Sequence, residues 1–382
     1  MNTADDLTQQ ALAIHKKFKG KISIKLKDDD QTKQKLGLYY TPGVGRVSSY
    51  VAEHPEELKN YSWVNNLVAV ISNGTAVLGL GDLGPYGAMP VMEGKSMLFK
   101  KFADIDSIPI VINSKNADDI IRTIEDIAPS FGAINLEDIG APVCFEVEEK
   151  LKAKLNIPVF HDDQHGTAVV VLAGIINALK LSGKKLEDLK IVIVGAGAAG
   201  VAIAKLLYLY GAKQILGVDS KGVINQSRDD LSPLKKELSL MNSTSGDLSL
   251  SQALEGADLF IGVSKAGLLK PEMVKTMAEN PIIFALANPD PEILPTDALA
   301  AGAYIVATGR SDFPNQVNNA LAFPGIFRGA LDNGVKKITD AHKIAAAEAI
   351  ASFVPESELS PEKIIPSIFE EGLVEAVAGF II

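Results

Sequence analysis

Leu189-Lys190-Ile191-Val192-Ile193-Val194 runs straight into Gly195-Ala196-Gly197-Ala198-Ala199-Gly200. A short apolar run rich in β-branched residues is the pattern of a strand buried on both faces. The glycines fit G-x-G-x-x-G. Val201 to Tyr210 continues in helical phase, with Val201, Ala204 and Tyr208 recurring at three and four residues and Gly211 at its end. A second apolar run, Gln214 to Val218, then delivers Asp219, nineteen positions beyond Gly200. In such a unit Gly195 permits the tight turn, and Gly197 lets the backbone approach a pyrophosphate. Gly200 lets the helix sit close to the strand, and the helix N-terminus around Ala196 and Ala198 offers unpaired N–H groups to the anion. Asp219 stands where a carboxylate accepts ribose hydroxyls. Glycines alone can serve a tight turn; strand, three glycines, helix, second strand and acid together predict dinucleotide binding.

The rest of the chain sets bounds. Its 382 residues suggest about two domains with a substantial core. Apolar residues make up 47% and charged residues 22%, ordinary for a globular enzyme, and the net charge of −10 argues against a nucleic-acid surface. Cys144 is the only cysteine, so no intrachain disulfide forms and a reducing, cytoplasmic setting is expected. Met1 to Gly20 lacks the apolar core of a leader, and no run is expected to reach the length of a membrane span.

Taken in order, Leu7, Ala11, Ile14 and Phe18 share a helical face that ends at Gly20, and Ile22, Ile24 and Leu26 alternate like a strand. Asp28-Asp29-Asp30 reads as a solvated acidic turn. Tyr39-Tyr40-Thr41-Pro42-Gly43-Val44-Gly45 opens a helix through Val47 and Val51. Leu67 to Ser72 and Thr75 to Leu80 flank Asn73-Gly74 and predict a hairpin. The glycine-dense loop Gly79 to Gly84 follows, then a helix from about Ala88 to Phe102. Strands are expected at 109–112, 132–135 and 158–160, separated by helices at 117–128 and 142–155. A nearly all-apolar helix from Thr167 to Leu181 reads as an interdomain element. After Asp219, strands are expected at 258–263, 282–286 and 304–307, with Asn288-Pro289 and Thr308-Gly309-Arg310 at carboxyl ends, where open α/β sheets bind ligands. An alanine-rich helix from Ala341 to Phe353 and a last apolar helix from Ile364 to Phe380 close the chain.

Two predicted strands end in paired carboxylates, Glu137-Asp138 and Asp162-Asp163. Parallel strands put their carboxyl ends on one edge, so the pairs can converge into an oxygen-ligand site for Mg²⁺ or Mn²⁺. Each pair alone would serve equally as a helix cap. His161 and His165 have zinc-like spacing, but the hard aspartates between them and the lack of a nearby cysteine argue against zinc. Lys95, preceded by Gly94 on an apolar helix, is either a solvated charge or a partly buried base of lowered pKa. Tyr40 either packs beside its proline and glycines or acts as an acid. Asn288, Asn318 and Asn319 are candidate carboxylate or carboxamide binders, with turn and cap roles equally open.

Several of these stretches together resemble malic enzymes: Tyr40-Thr41-Pro42-Gly43, Leu78 to Gly84 (LGLGDLG), Glu93-Gly94-Lys95, Leu136-Glu137-Asp138, Phe160 to Ala168 (FHDDQHGTA), the GAGAAG turn, and Asn318 to Gly325 (NNALAFPG). The order is kept from about Tyr39 to past Ile350, and the length is similar to that of the small bacterial-type members. The resemblance implies an α/β fold, a Rossmann-type doubly wound parallel sheet plus an N-terminal α/β domain for substrate and metal. The expected division is 1–163, 164–355 and a C-terminal helical segment 356–382 that packs back on the first domain or on a dimer partner. It implies metal-dependent oxidative decarboxylation of malate to pyruvate and CO₂ with NAD, or NADP, as acceptor. The apolar faces of the N-terminal elements and of the last helix predict a homodimer at least, and no nucleic-acid or membrane partner is expected. Carried onto matching positions, Glu137, Asp138 and Asp163 hold the cation and Lys95 is the base for the C2 hydroxyl. Tyr40 protonates C3, Asp162 supports the base, and Asn288 and Asn318 touch substrate and nicotinamide. Asp219 implies NAD preference, with Lys221 an offsetting cation. Long members carry an arginine shortly before the GLGDLG string, where this chain has Thr75-Ala76-Val77, so a different group, Arg310 or a partner subunit is expected to bind the C1 carboxylate. Two other readings stay open: an oxaloacetate decarboxylase of the same family, and a non-enzymatic nucleotide sensor. Malolactic chemistry is set aside because it goes with longer chains.

Overall fold

The computed structural model describes residues 3–29, 32–78, 80–242 and 246–382. Asp30 of the acidic turn and Gly79 of the glycine-dense loop lie outside the described residues. Two sheets organise the chain. The first contains β1 (Leu67–Ser72), β2 (Asp106–Val111), β3 (Ala133–Leu136) and β4 (Val159–His161), in the order β2-β1-β3-β4 and all parallel. The second contains β5 (Lys190–Val194), β6 (Gln214–Asp219), β7 (Gly222–Val223), β8 (Leu259–Gly262), β9 (Ile282–Ala285) and β10 (Ile305–Thr308). Its order is β10-β9-β8-β5-β6-β7, parallel except for β7, which pairs antiparallel with β6. The predicted α/β architecture is therefore present.

Residue types explain the placement. β1 is apolar to its last residue and buried along its whole length, as a central strand covered on both faces should be. Pro109 has no N–H to give a ladder and sits in β2, at the sheet edge. The helix Asp162–Ser182 leaves β4 directly and leads towards β5. It packs against the helices Ala198–Tyr210 and Asp340–Ser352, in one apolar cluster that also takes in Val68, Val70 and Phe99 from the first half and Ile191 and Phe284 from the second. This helix is long and apolar enough by composition to cross a bilayer, which corrects the expectation that no run reaches that length. Most of its apolar window is buried inside the protein, as in a core helix.

Three local expectations fail for physical reasons. The described residues of the 75–80 stretch form no strand, because both edges of β1 are already taken by the parallel strands β2 and β3. Asn73 instead turns the chain, its Oδ1 accepting from the Thr75 N–H (3.2 Å) and hydroxyl (2.7 Å). Ile22, Ile24 and Leu26 form no ladder; the segment runs exposed along the surface, with the Lys21 ammonium donating to the Pro90 carbonyl (2.8 Å). The last helix covers only Leu373–Ala378 rather than Ile364 to Phe380. Pro366 lacks a donor, the Ser367 N–H goes to Glu370 Oε1 (2.9 Å), and Gly372 takes φ +89° just before the helix starts. That short helix packs on the helix Phe323–Asp332, where added Cβ atoms at Gly325 and Gly329 would strike Val377 and Ala378.

Candidate active site and metal centre

β3 and β4 run side by side with Leu136 opposite His161, so Glu137-Asp138 and Asp162-Asp163 emerge together at one sheet edge. Glu137, Asp138 and Asp163 bring one oxygen each within 4.8 Å of one another. The Asp138 N–H donates to Asp163 Oδ2 (2.7 Å), and Asn135 Nδ2 donates to Glu137 Oε2 (3.0 Å). Asp138 Oδ1 accepts from the Leu78 N–H (3.4 Å), whereas its Oδ2 is buried without a partner among the described residues. The turn that replaces the predicted hairpin thus lies over the acids, with the Ala76 N–H also bound to the Asp138 carbonyl (3.1 Å).

Lys95 comes from the helix Gly84–Ala103, whose buried face carries Ala88, Met92, Lys95 and Phe99 at helical spacing. Only 8% exposed, its ammonium lies 3.0 Å from Glu137 Oε1, in contact with Asp162, and 4.7 Å from the centre of the Phe323 ring. Gly166 makes room for Asp162, because an added Cβ would fall on Asp162 Oδ1. Four carboxyl groups crowd one ammonium in a buried patch, which would carry three negative charges in excess were all of them ionised. Burial pushes Glu137 up to about 8, Asp138 and Asp163 to about 7 and Asp162 to about 6; the like charges push the same way, against the pull of Lys95. For Lys95 burial works downward, but Asp162, Glu137 and Asp163 outweigh it and hold the ammonium above the ordinary lysine range. The lowered pKa expected from sequence rests on burial and a neighbouring cation; burial does work that way, and the carboxylates work against it. The hard oxygen donors, the charge deficit and the orphaned Asp138 oxygen fit a divalent cation such as Mg²⁺ or Mn²⁺.

The glycine turn has the expected build. Gly195 takes φ +114° with its face against the Val263 carbonyl, and a Cβ at Gly200 would collide with the Gly195 carbonyl. Gly197 is exposed with nothing near its Cβ position, and the helix Ala198–Tyr210 begins immediately after it. Ala196 and Ala198 are half-buried beside it. Open backbone at a helix N-terminus fits a pyrophosphate.

Asp219 ends β6 as expected, but its carboxylate is already engaged. Arg228 grips it with both terminal nitrogens (2.9 Å each), Lys235 Nζ donates to Oδ2 (2.6 Å), and the Lys221 N–H donates to Oδ1 (2.9 Å). Burial would raise this carboxyl, yet these donors hold it at about 2. The sequence reading treated Asp219 as a free acceptor and counted only Lys221 against it. The cations nine and sixteen residues downstream were missed.

Other candidates make no hydrogen bond to the acid cluster among the described residues, although Asn319 packs beside Gly166 next to Asp162. Tyr40 is 67% exposed and its hydroxyl makes no hydrogen bond among the described residues. Asn288 is exposed, close to Gly309, and Asn318 caps the turn Asn319–Leu321 by accepting from the Ala320 N–H (2.9 Å). Arg310 is forked onto Asp312 (2.9 and 2.7 Å) and reaches Asp290 (3.3 Å), away from the acid cluster. Thr75 Oγ1 accepts from the Gly140 N–H (2.8 Å). His165 turns to Glu148 (2.8 Å), whereas His161 Nδ1 lies 3.7 Å from Asp163 Oδ2. Glu148, whose Oε1 accepts from the His161 N–H (3.0 Å), and Phe323 under Lys95 went unnoticed in the sequence. Glu148 shares the buried helical face of Cys144, Val147 and Leu151, and that position was its only signal.

Residues 19–118 match the model of the malic enzyme N-terminal domain, and residues 164–376 match that of the malic enzyme NAD-binding domain. The chain is 54% identical over 359 residues to the NAD-dependent malic enzyme of Geobacillus stearothermophilus, covering 94% of this chain and 75% of that protein. The chain belongs to the malic enzyme family. The crystal structure of the NAD-dependent malic enzyme from Thermotoga maritima superposes with a TM-score of 0.94 at 50% identity, covering 97% of this chain and 98% of that one. The Bacillus subtilis relative, 52% identical over 374 residues with 97% of this chain and 91% of that protein covered, is named a bifunctional malic/malolactic enzyme. Length therefore gives no ground for setting malolactic chemistry aside. Within the family frame, Tyr40 and Lys95 fall in the N-terminal match, and the NAD-binding match begins one residue after Asp163.

Proposed function

We propose that the acid cluster at the ends of β3 and β4 is the centre at which this chain oxidises and decarboxylates (S)-malate. The overall reaction is that of the family: malate gives pyruvate and CO₂ as NAD or NADP is reduced, and the chain is an oxidoreductase. One observation carries the assignment of residues: a single buried lysine is held between Asp162 and Glu137, beside three converging carboxylates with an unsatisfied oxygen. Glu137, Asp138 and Asp163 would hold the cation, and the Gly195 to Gly200 turn would hold NAD(P). When bound, the cation polarises the oxygen on C2 and the nicotinamide takes the hydride.

The chain's own groups move the protons. To act as base at the C2 hydroxyl, Lys95 Nζ must first give up a proton. Glu137, Asp138 and Asp163, once they hold a divalent cation, would favour the ammonium less and so ease that loss, while Asp162, in contact with Nζ, would support the base. After CO₂ leaves, the Tyr40 hydroxyl protonates C3. Two groups on separate elements suit two carbons. Because Tyr40 is largely exposed in its own chain, we propose that it serves the site of a second copy in a homodimer. The exposed apolar side chains Leu7, Ile14, Phe18, Leu36, Leu38 and Val47 give the N-terminal elements a face for that copy. Asn288 and Asn318 would orient substrate and nicotinamide. The proposed division follows the sheets: 1–163 for substrate and metal, 164–355 for nucleotide, and 356–382 packing back, with the helix Asp162–Ser182 straddling the first boundary. A cytoplasmic setting is in keeping with one buried free thiol.

The test is cofactor reduction at the nicotinamide band with malate and Mn²⁺. Loss of oxaloacetate without malate-dependent reduction would replace this reading with the decarboxylase. The name of the B. subtilis relative favours a second product, so lactate is to be measured in the same reaction.

A further inference from the structure

Outside the acid cluster, Glu148 is paired with His165 and Lys152, which leaves Glu292 as a buried carboxylate of another kind. Glu292 is fully buried, and no cation is paired with it among the described residues. Both of its oxygens go to backbone: Oε1 accepts from the Ser264 N–H (2.8 Å) and Oε2 from the Ala287 N–H (3.1 Å). Its own carbonyl accepts from the Leu269 N–H (3.0 Å), and the Pro291 carbonyl accepts from the Gly267 N–H (3.0 Å). Gly262 leaves the space it needs, since an added Cβ there would lie 2.3 Å from Glu292 Cδ. A desolvated carboxylate is costly, and hydrogen bonds to charge are the strong ones, so this group fixes the two loops it joins tightly.

Those loops matter because of what they carry. Ser264 follows Val263, whose carbonyl and Cγ2 form the wall against which Gly195 and Gly200 pack. Ala287 precedes Asn288, at the end of β9. In the strand order, β6 with Asp219 lies on one side of β5 and its glycine turn, and β8 and β9 lie on the other. A dinucleotide with its pyrophosphate at the turn and its adenosine toward β6 must lay its nicotinamide half over the ends of β8 and β9. We infer that Glu292 is a positioning residue for the nicotinamide half of the cofactor, a staple that fixes the Val263-Ser264 and Ala287-Asn288 loops at the spacing the ring requires. This rests on the nucleotide-binding reading above and adds to it a residue with no contact to the reacting atoms.

The experiment compares two ligands in calorimetric titrations of the full chain: NADH, which spans both halves, and ADP, which fills the adenosine side only. Glu292→Gln keeps the shape but turns an amide group toward one of the two N–H donors. Glu292→Asp keeps the charge but is one methylene too short to reach both. In each variant NADH binding is expected to weaken by about tenfold or more, the worth of one lost hydrogen bond to a charged group. ADP binding is expected to stay within about twofold, as for a distant and independent site. Retained ADP binding also shows that the glycine turn is folded. Equal weakening of both ligands, or no weakening of either, would overturn the staple. Wild-type protein that binds neither ligand would instead overturn the nucleotide-binding reading on which it stands.

Discussion

Replacing Lys95 with methionine keeps the length and the apolar stem of the side chain and removes the one ammonium in the cluster. Two effects can be sized. Loss of a positioned base costs about 10²- to 10⁴-fold, which is about 3–5 kcal/mol of barrier. The second effect is on stability. Breaking a buried pair commonly costs about 3–5 kcal/mol because a charge is left uncompensated. Here the stranded partners are Glu137 and Asp162, already pushed up to about 8 and 6, so they take up protons rather than remain as bare charges. The stability loss near neutral pH should therefore fall below the lower end of that range. The assay pairs single-turnover reduction of NAD with malate and Mn²⁺ against thermal unfolding of the same variant. A folded variant that keeps hydride transfer within about threefold of wild type, far short of the loss expected for a general base, would refute Lys95 as the base. Asp162 would then be the next candidate.

Three further outcomes follow from the geometry. Tyr40→Phe should slow solvent-deuterium incorporation into pyruvate far more than cofactor reduction; an equal effect on both would remove Tyr40 from the C3 step. Arg228→Ala should release the Asp219 carboxylate to ribose hydroxyls and take a cation away from a 2′-phosphate, raising the ratio of kcat/KM for NAD over NADP by about tenfold; an unchanged ratio would show that neither side chain reads the ribose. Small-angle scattering of the active protein should give the mass of at least a dimer, and a monodisperse active monomer would exclude Tyr40 acting in a second copy.

The glycine turn and the carboxylate pairs were legible in the sequence because each depends on short-range order. A strand that ends in acids beside a parallel neighbour needs only the strand assignments to place Glu137-Asp138 next to Asp162-Asp163. What failed depends on contacts far along the chain. Asn73-Gly74 has the local pattern of a hairpin, yet the ladder positions it needed belong to Asp106–Val111 and Ala133–Leu136. Asp219 looked free because Arg228 and Lys235 lie beyond its own motif. The three carboxylates from two strand ends that surround Lys95 and oppose its burial could not be placed around it from its own helix. Glu292 and Glu148 gave no motif; burial alone marks them, and a single sequence shows burial of a charged residue only as an interruption of an apolar face.

The central claim is that Glu137, Asp138 and Asp163 hold the cation on which malate oxidation depends. Calorimetric titration of Mn²⁺ into wild-type protein and Asp163→Ala, with malate-dependent NAD(P) reduction followed in the same samples, tests it most directly. The account predicts one cation site and activity in the wild type, and loss of both in a variant that still binds NADH. Undiminished Mn²⁺ binding and activity in Asp163→Ala would contradict it.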